Sequence, residues 1–397
     1  MNAIALALHS GRAVRDALRA AGWDEGVANT AAGGLVPLAI RLSGLDPATL
    51  EALVPCAGRL GLDVTTGADW ALLVGSRARL GAFARPSVVP PELAEAAMRV
   101  GLAIPGDPPA IWRAGRFTLA LDRPLLVGIL NVTPDSFTDG GRYAELDGAL
   151  AHAERLLADG ADVLDVGGES TRPGRSIDVP LDEELRRVLP VVQALAAAYP
   201  AVPLSIDTVK AAVARSALDA GATIVNDVSG GRLDPELLAV AAAVRAGVVL
   251  MHSRGSVTEL GSYVHADYSS DPVGTVRREL AGSLATAAEA GVPIECIALD
   301  PGFGFSKTTE QSLLLLDRLD ALAALGRPLL VGPSRKRFLG AVTGRGPDSR
   351  DVVTAAACAL AYERGARIFR VHDVGATRDA LALASALGRT TAAAGRE

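Results

Sequence analysis

The residues best suited to chemistry lie in residues 328–340, PLLVGPSRKRFLG. The apolar start of this segment predicts a strand, and Arg335 and Lys336 follow at the point where the strand ends. Two adjacent cations at the end of a buried parallel strand are costly unless an anion lies beside them. The segment therefore predicts either an anion-binding site or a solvated basic turn.

A second cationic segment, residues 367–374 (RIFRVHDV), carries Arg370 and His372 two positions apart. Alternate residues of a strand point to the same face of the sheet. Arg370, His372 and Lys336 can therefore converge on one anion, which favours the binding site over the basic turn.

The elements that must position these residues follow a regular order after Ile111. Nearly continuous apolar runs, typical of strands buried on both faces, alternate with amphipathic helical stretches. The eight predicted strands are residues 125–132, 163–168, 204–207, 224–228, 248–252, 297–301, 329–333 and 368–374. They predict an α/β fold, a closed (β/α)8 TIM barrel, which takes roughly 250 residues. An open doubly wound sheet is the alternative, but its Gly-rich fingerprint does not follow the first run.

The pattern predicts two domains. Residues 1–110 suggest a small α/β domain in the order β-α-β-β-α, with helices over residues 13–21 and 48–60, and they contain no motif typical of chemistry. Residues 106–109, GDPP, predict a linker. Residues 111–397 form the predicted barrel domain, in which a hairpin over residues 112–121 closes the bottom.

Polar residues concentrate where the predicted strands end, and barrels carry their active sites at these ends. They are Asn131, Asp165, Asp207, Asn226 with Asp227, His252, Asp300, Lys336, and Arg370 with His372. Each buried polar group needs a hydrogen-bonding partner, so this concentration is difficult to explain by structure alone. It predicts an active site at the carboxyl end of the barrel.

One half of the predicted site suits a flat heterocycle. Such a ring presents amino, N–H and carbonyl groups, which match carboxylates, an amide and an ammonium. The chain offers these groups in Asp207, Asn226, Asp300 and Lys336.

The other half suits phosphate oxygens. Arg370 and His372 offer charge-assisted hydrogen bonds, and Asn131 can bind a hard cation such as Mg²⁺. On spacing alone, Asn131 is better explained as a turn residue before Thr133-Pro134. The polar loops at residues 133–143 and 169–178 predict mobile lids over the barrel mouth, with a disordered linker as the alternative.

The composition narrows the class of protein. A net charge of −6 does not favour a nucleic-acid-binding surface. Cys56, Cys296 and Cys358 lack both metal-ligand spacing and a disulfide framework, so a reducing compartment is expected. The first residues lack the basic segment of a signal peptide, and no apolar run reaches the roughly 18 residues needed to span a membrane. A cytoplasmic protein without membrane or nucleic-acid partners is expected.

Seven motifs together resemble the dihydropteroate synthase family of the folate pathway. They are ILNVTPDSFTDGG, DVGGESTRPG, SIDT, NDVSG, DPGFGF, SRK and RVHDV, in this order within residues 111–390. Each motif is weak alone, but the set is highly specific. The resemblance implies a transferase: 6-hydroxymethyl-7,8-dihydropterin diphosphate loses pyrophosphate, and the amine of 4-aminobenzoate attacks the exocyclic methylene carbon. It also implies an SN1-like mechanism through a cation that the pterin stabilises.

The resemblance implies roles for individual residues. The pterin site is expected to comprise Asp207, Asn226, Met251, Asp300, Phe305 and Lys336, with Asp165 behind the diphosphate region. The leaving diphosphate is expected to contact Asn131, Arg370 and His372, with the cofactor Mg²⁺ on Asn131 and Asp135. The 4-aminobenzoate site is expected to comprise Phe137, Thr171, Arg172, Pro173 and Lys336. The expected catalytic residues are Asp207, Lys336, Arg370 and His372.

Arg337 departs from the family pattern, because many members have a serine at this position that helps to hold the aminobenzoate carboxylate. An arginine can itself attract a carboxylate. The family further implies a homodimer formed through barrel helices away from the mouth.

Two other functions stay open from the sequence. A pterin-binding methyltransferase shares the barrel and the pterin carboxylates, but it needs no diphosphate-binding residues, so SRK and RVHDV argue against it. A non-catalytic pterin-binding paralogue is expected to have eroded loops or anion-binding residues, and both are intact here.

Overall fold

The computed structural model describes residues 37–104, 109–132, 141–169 and 179–393. The chain divides into two compact units, Met1–Gly106 with Leu383–Glu397, and Asp107–Ala382. Within the described ranges, no helix combines the length and the apolar character needed to cross a membrane. The predicted helix over residues 13–21 and most of the predicted linker lie outside these ranges, so the boundary at residue 110 stays a prediction.

The first unit contains a three-stranded antiparallel sheet with its own apolar core. Its described elements are β1 (Pro37–Ser43), α1 (Pro47–Arg59), β2 (Asp63–Thr66), β3 (Trp70–Ser76), α2 (Arg77–Phe83), a 3-10 turn (Pro91–Leu93) and α3 (Ala94–Ala103), with strand order β1-β3-β2. α1 coincides with the predicted helix over residues 48–60 and starts after Asp46, whose side chain accepts a hydrogen bond from the Thr49 backbone N–H at 2.8 Å. Leu53, Leu73 and Phe83 are buried in the core.

The second unit is the predicted TIM barrel. After the hairpin strands β4 (Ile111–Ala114) and β5 (Phe117–Ala120), the barrel strands are β6 (Leu125–Asn131), β7 (Val163–Gly167), β8 (Leu204–Asp207), β9 (Ile224–Asp227), β10 (Gly247–Met251), β11 (Ile297–Asp300), β12 (Leu330–Val331) and β13 (Ile368–Val371). The helices are α4 (Gly141–Ala158), α5 (Leu181–Ala198), α6 (Ala211–Asp219), α7 (Glu236–Ala243), α8 (Pro272–Glu289), α9 (Thr309–Asp317), α10 (Arg337–Thr343), α11 (Asp351–Glu363) and α12 (Val374–Ala393), of which only residues 374–382 belong to this unit. Short 3-10 turns span Val257–Glu259, Ile294–Cys296, Leu319–Leu325 and Pro347–Ser349.

The eight parallel strands pair in the order β11-β10-β9-β8-β7-β6-β13-β12. A parallel bridge between Leu299 and Leu329 joins the two ends of this order and closes the sheet. β12 is shorter than predicted because its pairing stops at Val331, before Gly332 and Pro333, and a proline cannot donate to a strand ladder. Closure places all eight carboxyl ends on one rim, so side chains far apart in sequence meet there.

The amino ends of the strands enclose an apolar core, which the predicted hairpin covers. The Trp112 side chain is 1% exposed, and its Nε1 donates to the Cys296 carbonyl at 2.7 Å. Buried neighbours in this cluster are Ala114, Leu125, Val127, Val163, Ile224, Val249, Ala298, Leu330 and Ile368. The hairpin therefore closes the end of the barrel opposite to the predicted site.

Candidate active site

A cavity of about 490 Å³ opens at the carboxyl ends of the barrel strands. Nine of the predicted site residues line it: Asn131, Asp207, Asn226, Met251, Asp300, Phe305, Lys336, Arg370 and His372. They come from seven of the eight barrel strands or from the segments that follow them. The closed sheet, rather than proximity in sequence, brings them together.

Arg370 points into the barrel between two carboxylates. Its Nε donates to Oδ2 of Asp165 and its Nη2 to Oδ2 of Asp207, each at 2.6 Å. Asp165 lies within β7 rather than at its end; it is 1% exposed, and its Oδ1 has no hydrogen-bond partner among the described residues. The sequence assigns Arg370 to the phosphate-binding half, whereas two of its donors serve carboxylates beside the heterocycle-binding half. Arg370 thus connects the two halves.

The Asp207 carboxyl group has an unusual acidity. Burial raises the pKa of Asp207 to about 7, against the opposing charge of Arg370 and with the help of the nearby Asp165. A carboxyl group with this pKa is available in both its protonated and ionised forms near neutral pH. A ligand that donates an N–H to Asp207 would favour the carboxylate form.

Lys336 follows β12 and lies against the aromatic face of Phe305. Its Nζ is 3.7 Å from the ring centre, a distance typical of a cation–π contact. Burial lowers the pKa of Lys336 to about 7, while the carboxylate of Asp300 opposes this shift. Burial likewise raises the pKa of Asp300, whose Oδ1 accepts the Gly302 backbone N–H at 2.7 Å. The ammonium, the carboxylate and the ring face the same cavity.

Asn226 and Asp227 divide their roles at the end of β9. The Asn226 amide lies 3.5 Å from Oδ2 of Asp165 and lines the cavity. Asp227 instead caps its own loop: it accepts hydrogen bonds from the Ser229 backbone and hydroxyl, each at 2.7 Å, and from the Gly231 backbone at 2.5 Å. Asp227 is therefore a structural residue that fixes the loop after Asn226.

His372 and Asn131 both line the cavity in the half that the sequence predicts to bind phosphate. His372 follows β13, and its Nδ1 lies 2.8 Å from the Ser334 hydroxyl, which also accepts the His372 backbone N–H at 3.2 Å. Ser334 thus orients the imidazole. Asn131 is the last residue of β6, and it lines the cavity beside Gly167.

Two arginines of the basic segment have partners of their own. Arg335, at φ 57°, donates through Nε and Nη2 to Asp351 at 2.7 and 2.8 Å. Arg337 donates to the Gly261 carbonyl at 2.5 Å, and its guanidinium lies 4.6 Å from the centre of the Tyr263 ring. Because Asp351 is remote from Arg335 in sequence, the sequence of residues 328–340 alone shows two adjacent cations without a neighbouring carboxylate.

Five predicted site residues lie outside the described residues: Asp135, Phe137, Thr171, Arg172 and Pro173. Most of the two predicted lids, residues 133–140 and 170–178, lies there as well. Their roles in binding metal or 4-aminobenzoate stay predictions.

The residue patterns did not indicate a group of charged residues at and behind the cavity wall. Glu169 lines the cavity and pairs with Lys210 at 3.0 Å, and Lys210 also binds the 1% exposed Glu184 at 2.7 Å. The composition could have indicated some of them, because only three of the 39 lysines and arginines are lysines. Each of the three, Lys210, Lys307 and Lys336, follows a barrel strand at its carboxyl end.

The space beside Asn131 is compatible with the predicted Mg²⁺. An added Cβ at Gly167 would lie 3.5 Å from Oδ1 of Asn131 and 3.7 Å from Oδ2 of Asp207, so the glycine leaves room next to both oxygens. Within the described part of the chain, no group of three or more His, Cys, Asp or Glu residues is arranged to hold a metal ion. Mg²⁺ at such sites usually takes one or two protein ligands and completes its shell with phosphate oxygens and water. An amide oxygen beside the predicted phosphate site fits this mode.

The chain is similar in sequence to a known family of enzymes. Residues 127–372, which lie within the barrel unit, match the family described as pterin binding enzyme. The dihydropteroate synthase of Synechocystis sp. is 46% identical over 269 residues, covering 67% of this chain and 91% of that protein. The dihydropteroate synthase of Bacillus subtilis is 44% identical over 253 residues, covering 64% of this chain and 85% of that protein.

Solved structures are similar in fold as well. The Xanthomonas albilineans dihydropteroate synthase with 4-aminobenzoic acid has 46% identity and a TM-score of 0.65, covering 70% of this chain and 98% of that chain. The Burkholderia cenocepacia dihydropteroate synthase complexed with 7,8-dihydropteroate has 45% identity and a TM-score of 0.64, covering 72% of this chain and 99% of that chain.

Proposed function

The chain belongs to the dihydropteroate synthase family of pterin-binding enzymes, and we propose that its barrel joins 6-hydroxymethyl-7,8-dihydropterin diphosphate to 4-aminobenzoate. The products are 7,8-dihydropteroate and pyrophosphate, so the protein is a transferase of folate biosynthesis. The observation that carries the proposal is the convergence of nine predicted residues from seven strands on one cavity.

The heterocycle-binding half supports recognition of the pterin. Asp207 and Asp300 accept hydrogen bonds from ring N–H and amino groups, Asn226 both donates and accepts, and Lys336 donates to an acceptor of the ring. Met251 and Phe305 supply apolar contact from the same cavity wall. These carboxylates also stabilise positive charge, which develops on the pterin when the exocyclic C–O bond breaks.

The phosphate-binding half supports departure of the diphosphate. Nη1 of Arg370 makes no hydrogen bond to the described residues and can donate to a phosphate oxygen while Nε and Nη2 stay on the carboxylates. His372, oriented by Ser334, is the second donor. The bonding electrons of the C–O bond leave with pyrophosphate, the amine nitrogen of 4-aminobenzoate bonds to the methylene carbon, and that nitrogen then loses a proton.

We propose Mg²⁺ as the cofactor, held by Asn131 and Asp135. The fit of the space beside Asn131 supports this proposal. When bound, the ion would neutralise charge on the leaving diphosphate. In calorimetry, Asn131→Ala is expected to weaken binding of pyrophosphate with Mg²⁺ more than binding of 6-hydroxymethyl-7,8-dihydropterin. Equal losses for both ligands would contradict the role.

We propose that 4-aminobenzoate binds between Lys336 and the two loops that follow β6 and β7. The residues assigned to it by the family are Phe137, Thr171, Arg172 and Pro173. The similar Xanthomonas albilineans structure contains 4-aminobenzoic acid, which supports this substrate class. The contacts of Arg337 with Gly261 and Tyr263 hold its charge at the edge of the cavity, where a carboxylate would be attracted.

A turnover assay with the purified chain tests the proposed function. We expect dihydropteroate to form when dihydropterin diphosphate, 4-aminobenzoate and Mg²⁺ are all present, and not when any one is omitted. Methyl transfer from methyltetrahydrofolate without dihydropteroate formation would favour a methyltransferase. Pterin binding without either reaction would favour the non-catalytic paralogue.

We propose that residues 1–110 form a separate domain that serves assembly, stability or partner binding rather than chemistry. Every described residue with a proposed chemical role lies between Asn131 and His372, which supports this division. A chain that starts at Ala110 is expected to keep turnover within a few-fold of the full chain, under about 1 kcal/mol in barrier. A folded, soluble shortened chain without turnover would place these residues at the active site.

We propose a homodimer formed through barrel helices away from the mouth. An exposed apolar side chain in the second half of α11 supports such an interface: Leu360 is 50% exposed. Sedimentation is expected to give twice the chain mass, and Leu360→Glu is expected to shift the mass towards the monomer. We also propose a cytoplasmic location, supported by the three buried free cysteines.

A further inference from the structure

Lys307 is a buried lysine that the proposed reaction does not use. It lies on the segment between β11 and α9, is 1% exposed, and is absent from the residues that line the cavity. A buried ammonium is costly unless its hydrogen bonds and charge are satisfied. Its surroundings therefore need a physical explanation.

Four acceptors surround the Lys307 Nζ. They are Nδ1 of His252 at 2.8 Å, the Phe305 carbonyl at 3.0 Å, and the carbonyls of His252 and Gly302, each at 3.1 Å. Burial lowers the pKa of Lys307 well below its ordinary value, while the charges of Asp300 and Glu279 oppose that shift. A compact ammonium suits acceptors arranged around a point, whereas a planar guanidinium does not.

The hydrogen bonds continue from Lys307 to a neighbouring helix. Because Nδ1 of His252 accepts from Lys307, the ring proton lies on Nε2, which donates to Glu279 of α8 at 2.9 Å. Arg254 also donates to Glu279, through Nε at 3.1 Å. Burial and the charge of Lys307 lower the pKa of His252 to about 4, so the ring is neutral in this chain of contacts. The network ties the loop after β11 to the end of β10 and to α8.

The loop that Lys307 contacts has an unusual backbone. Gly302, Gly304 and Ser306 all have positive φ, at 67°, 73° and 49°. An added Cβ at Gly302 would lie 2.1 Å from the His252 carbonyl, so the two segments approach as closely as a glycine allows. A non-glycine residue in this region costs energy that neighbouring contacts must offset. The carbonyl contacts of Lys307 are suited to do so.

The loop carries two groups of the proposed pterin site. The Asp300 carboxylate accepts a hydrogen bond from the Gly302 N–H, and the Lys307 ammonium donates one to the Gly302 carbonyl. Lys307 also binds the carbonyl of Phe305, whose ring lies under the Nζ of Lys336 at 3.7 Å. Movement of this loop would therefore displace a carboxylate and an aromatic ring from the cavity wall.

We infer that Lys307 is a positioning residue for the pterin, an inference that rests on the proposed function. Its ammonium fixes the loop between Asp300 and Phe305 and thereby the surface on which the pterin and Lys336 meet. The phosphate-binding residues belong to other strands, so the effect is specific to the pterin half.

Separate ligands for the two halves test this role. Lys307→Met and Lys307→Arg are compared with the parent for binding of 6-hydroxymethyl-7,8-dihydropterin and of pyrophosphate with Mg²⁺. Both variants are expected to bind the pterin about tenfold or more weakly, with pyrophosphate affinity within about twofold of the parent. Val192→Ala, a truncation of a fully buried side chain on α5, serves as a destabilised control that keeps both affinities. Unchanged pterin affinity, or equal losses for the two ligands, would overturn the role.

If the Lys307 variants do not fold, NMR of the lysine side chains in the parent chain tests the positioning role of Lys307. The chain has three lysines, so lysine-selective labelling gives three side-chain NMR signals, which Lys210→Arg helps to assign. The Lys307 signal is expected to shift when the pterin binds and to stay when pyrophosphate binds. A Lys307 signal indifferent to the pterin would overturn the role. Failure of the proposed function would look different, since the parent chain would then form no dihydropteroate.

Discussion

The two ends of the barrel use the same strand faces for opposite purposes. Val163, Ile224, Ala298 and Ile368 lie on four strands and pack in the apolar core beneath the cavity. Two residues further along the same faces stand Asp165, Asn226, Asp300 and Arg370. One layer of side chains is thus apolar and closed by Trp112, while the next is polar and opens to the cavity through Asn226, Asp300 and Arg370.

The difference separates stability from function along one axis. The amino end buries apolar surface and satisfies the Trp112 N–H, so each contact there favours folding. At the carboxyl end, burial disfavours the charged forms of Asp207 and Lys336. It therefore raises the pKa of Asp207 to about 7 and lowers that of Lys336 to about 7. Variants at the two ends are therefore expected to differ in kind as well as in size.

The largest effect is expected for Arg370→Ala. The change leaves Asp165 and Asp207 without the cation that pairs with both. Breaking a buried ion pair from one side costs about 3–5 kcal/mol, and the dihydropteroate-forming activity should be lost as well. Urea denaturation measures the free energy of unfolding. A fully stable variant would show that these carboxylates do not depend on Arg370.

A smaller effect, on activity rather than folding, is expected for Lys336→Ala. Its Nζ contacts the Phe305 ring and faces Asp300, and losing a charge-assisted contact to substrate costs about 1.5–3 kcal/mol. This corresponds to about one to two decades in kcat/KM. Steady-state kinetics equal to those of the parent would remove Lys336 from the site.

The pH dependence of kcat/KM is expected to show the titration of Asp207 and Lys336 at the carboxyl end. Asp207, with a pKa raised to about 7, must lose its proton to accept from the pterin, so kcat/KM rises with pH up to that range. Lys336, with a pKa lowered to about 7, loses its charge above that range, so kcat/KM then falls. Lys336→Arg is expected to remove the alkaline limb alone.

Lys210→Arg is the matched control for this profile. The hydrogen bonds and charges of Glu184 and Glu169 raise the pKa of Lys210 despite its partial burial, so Lys210 stays protonated across the range. The control should keep both limbs. An alkaline limb that survives in Lys336→Arg would assign that titration to another group.

The smallest effect on activity is expected at the amino end. Trp112→Phe removes the donor to the Cys296 carbonyl and should cost about 1–2 kcal/mol of folding free energy. Turnover should stay within about twofold of the parent, because the indole lies outside the cavity. A large loss of turnover without unfolding would show that the two ends are coupled.

Much of this arrangement could be predicted from strand alternation. The eight apolar runs predicted the barrel, and the positions of polar residues at the strand ends predicted seven of the residues that line one cavity. Alternation states which face a side chain occupies but not which neighbour it meets across the sheet. The pairing of Arg370 with Asp165 depends on β6 lying between β13 and β7, an order that one strand's sequence does not contain.

Other features depend on backbone and loop geometry that residue patterns do not specify. Arg335 pairs with Asp351 because its φ of 57° turns it away from the strand direction. The ammonium of Lys307 meets three backbone carbonyls, and carbonyl directions are set by the folded loop rather than by residue type. The rarity of lysine in an arginine-rich chain was the available signal for such sites.

Pyrophosphate release is the most direct test that the carboxyl end of the barrel synthesises dihydropteroate. The parent chain, Trp112→Phe and Lys336→Ala are given dihydropterin diphosphate and Mg²⁺, with and without 4-aminobenzoate. We expect release to require 4-aminobenzoate, to match dihydropteroate formation, to stay near the parent rate in Trp112→Phe, and to fall about tenfold or more in Lys336→Ala. Equal rates in all three folded proteins, or no release from the parent, would contradict this assignment.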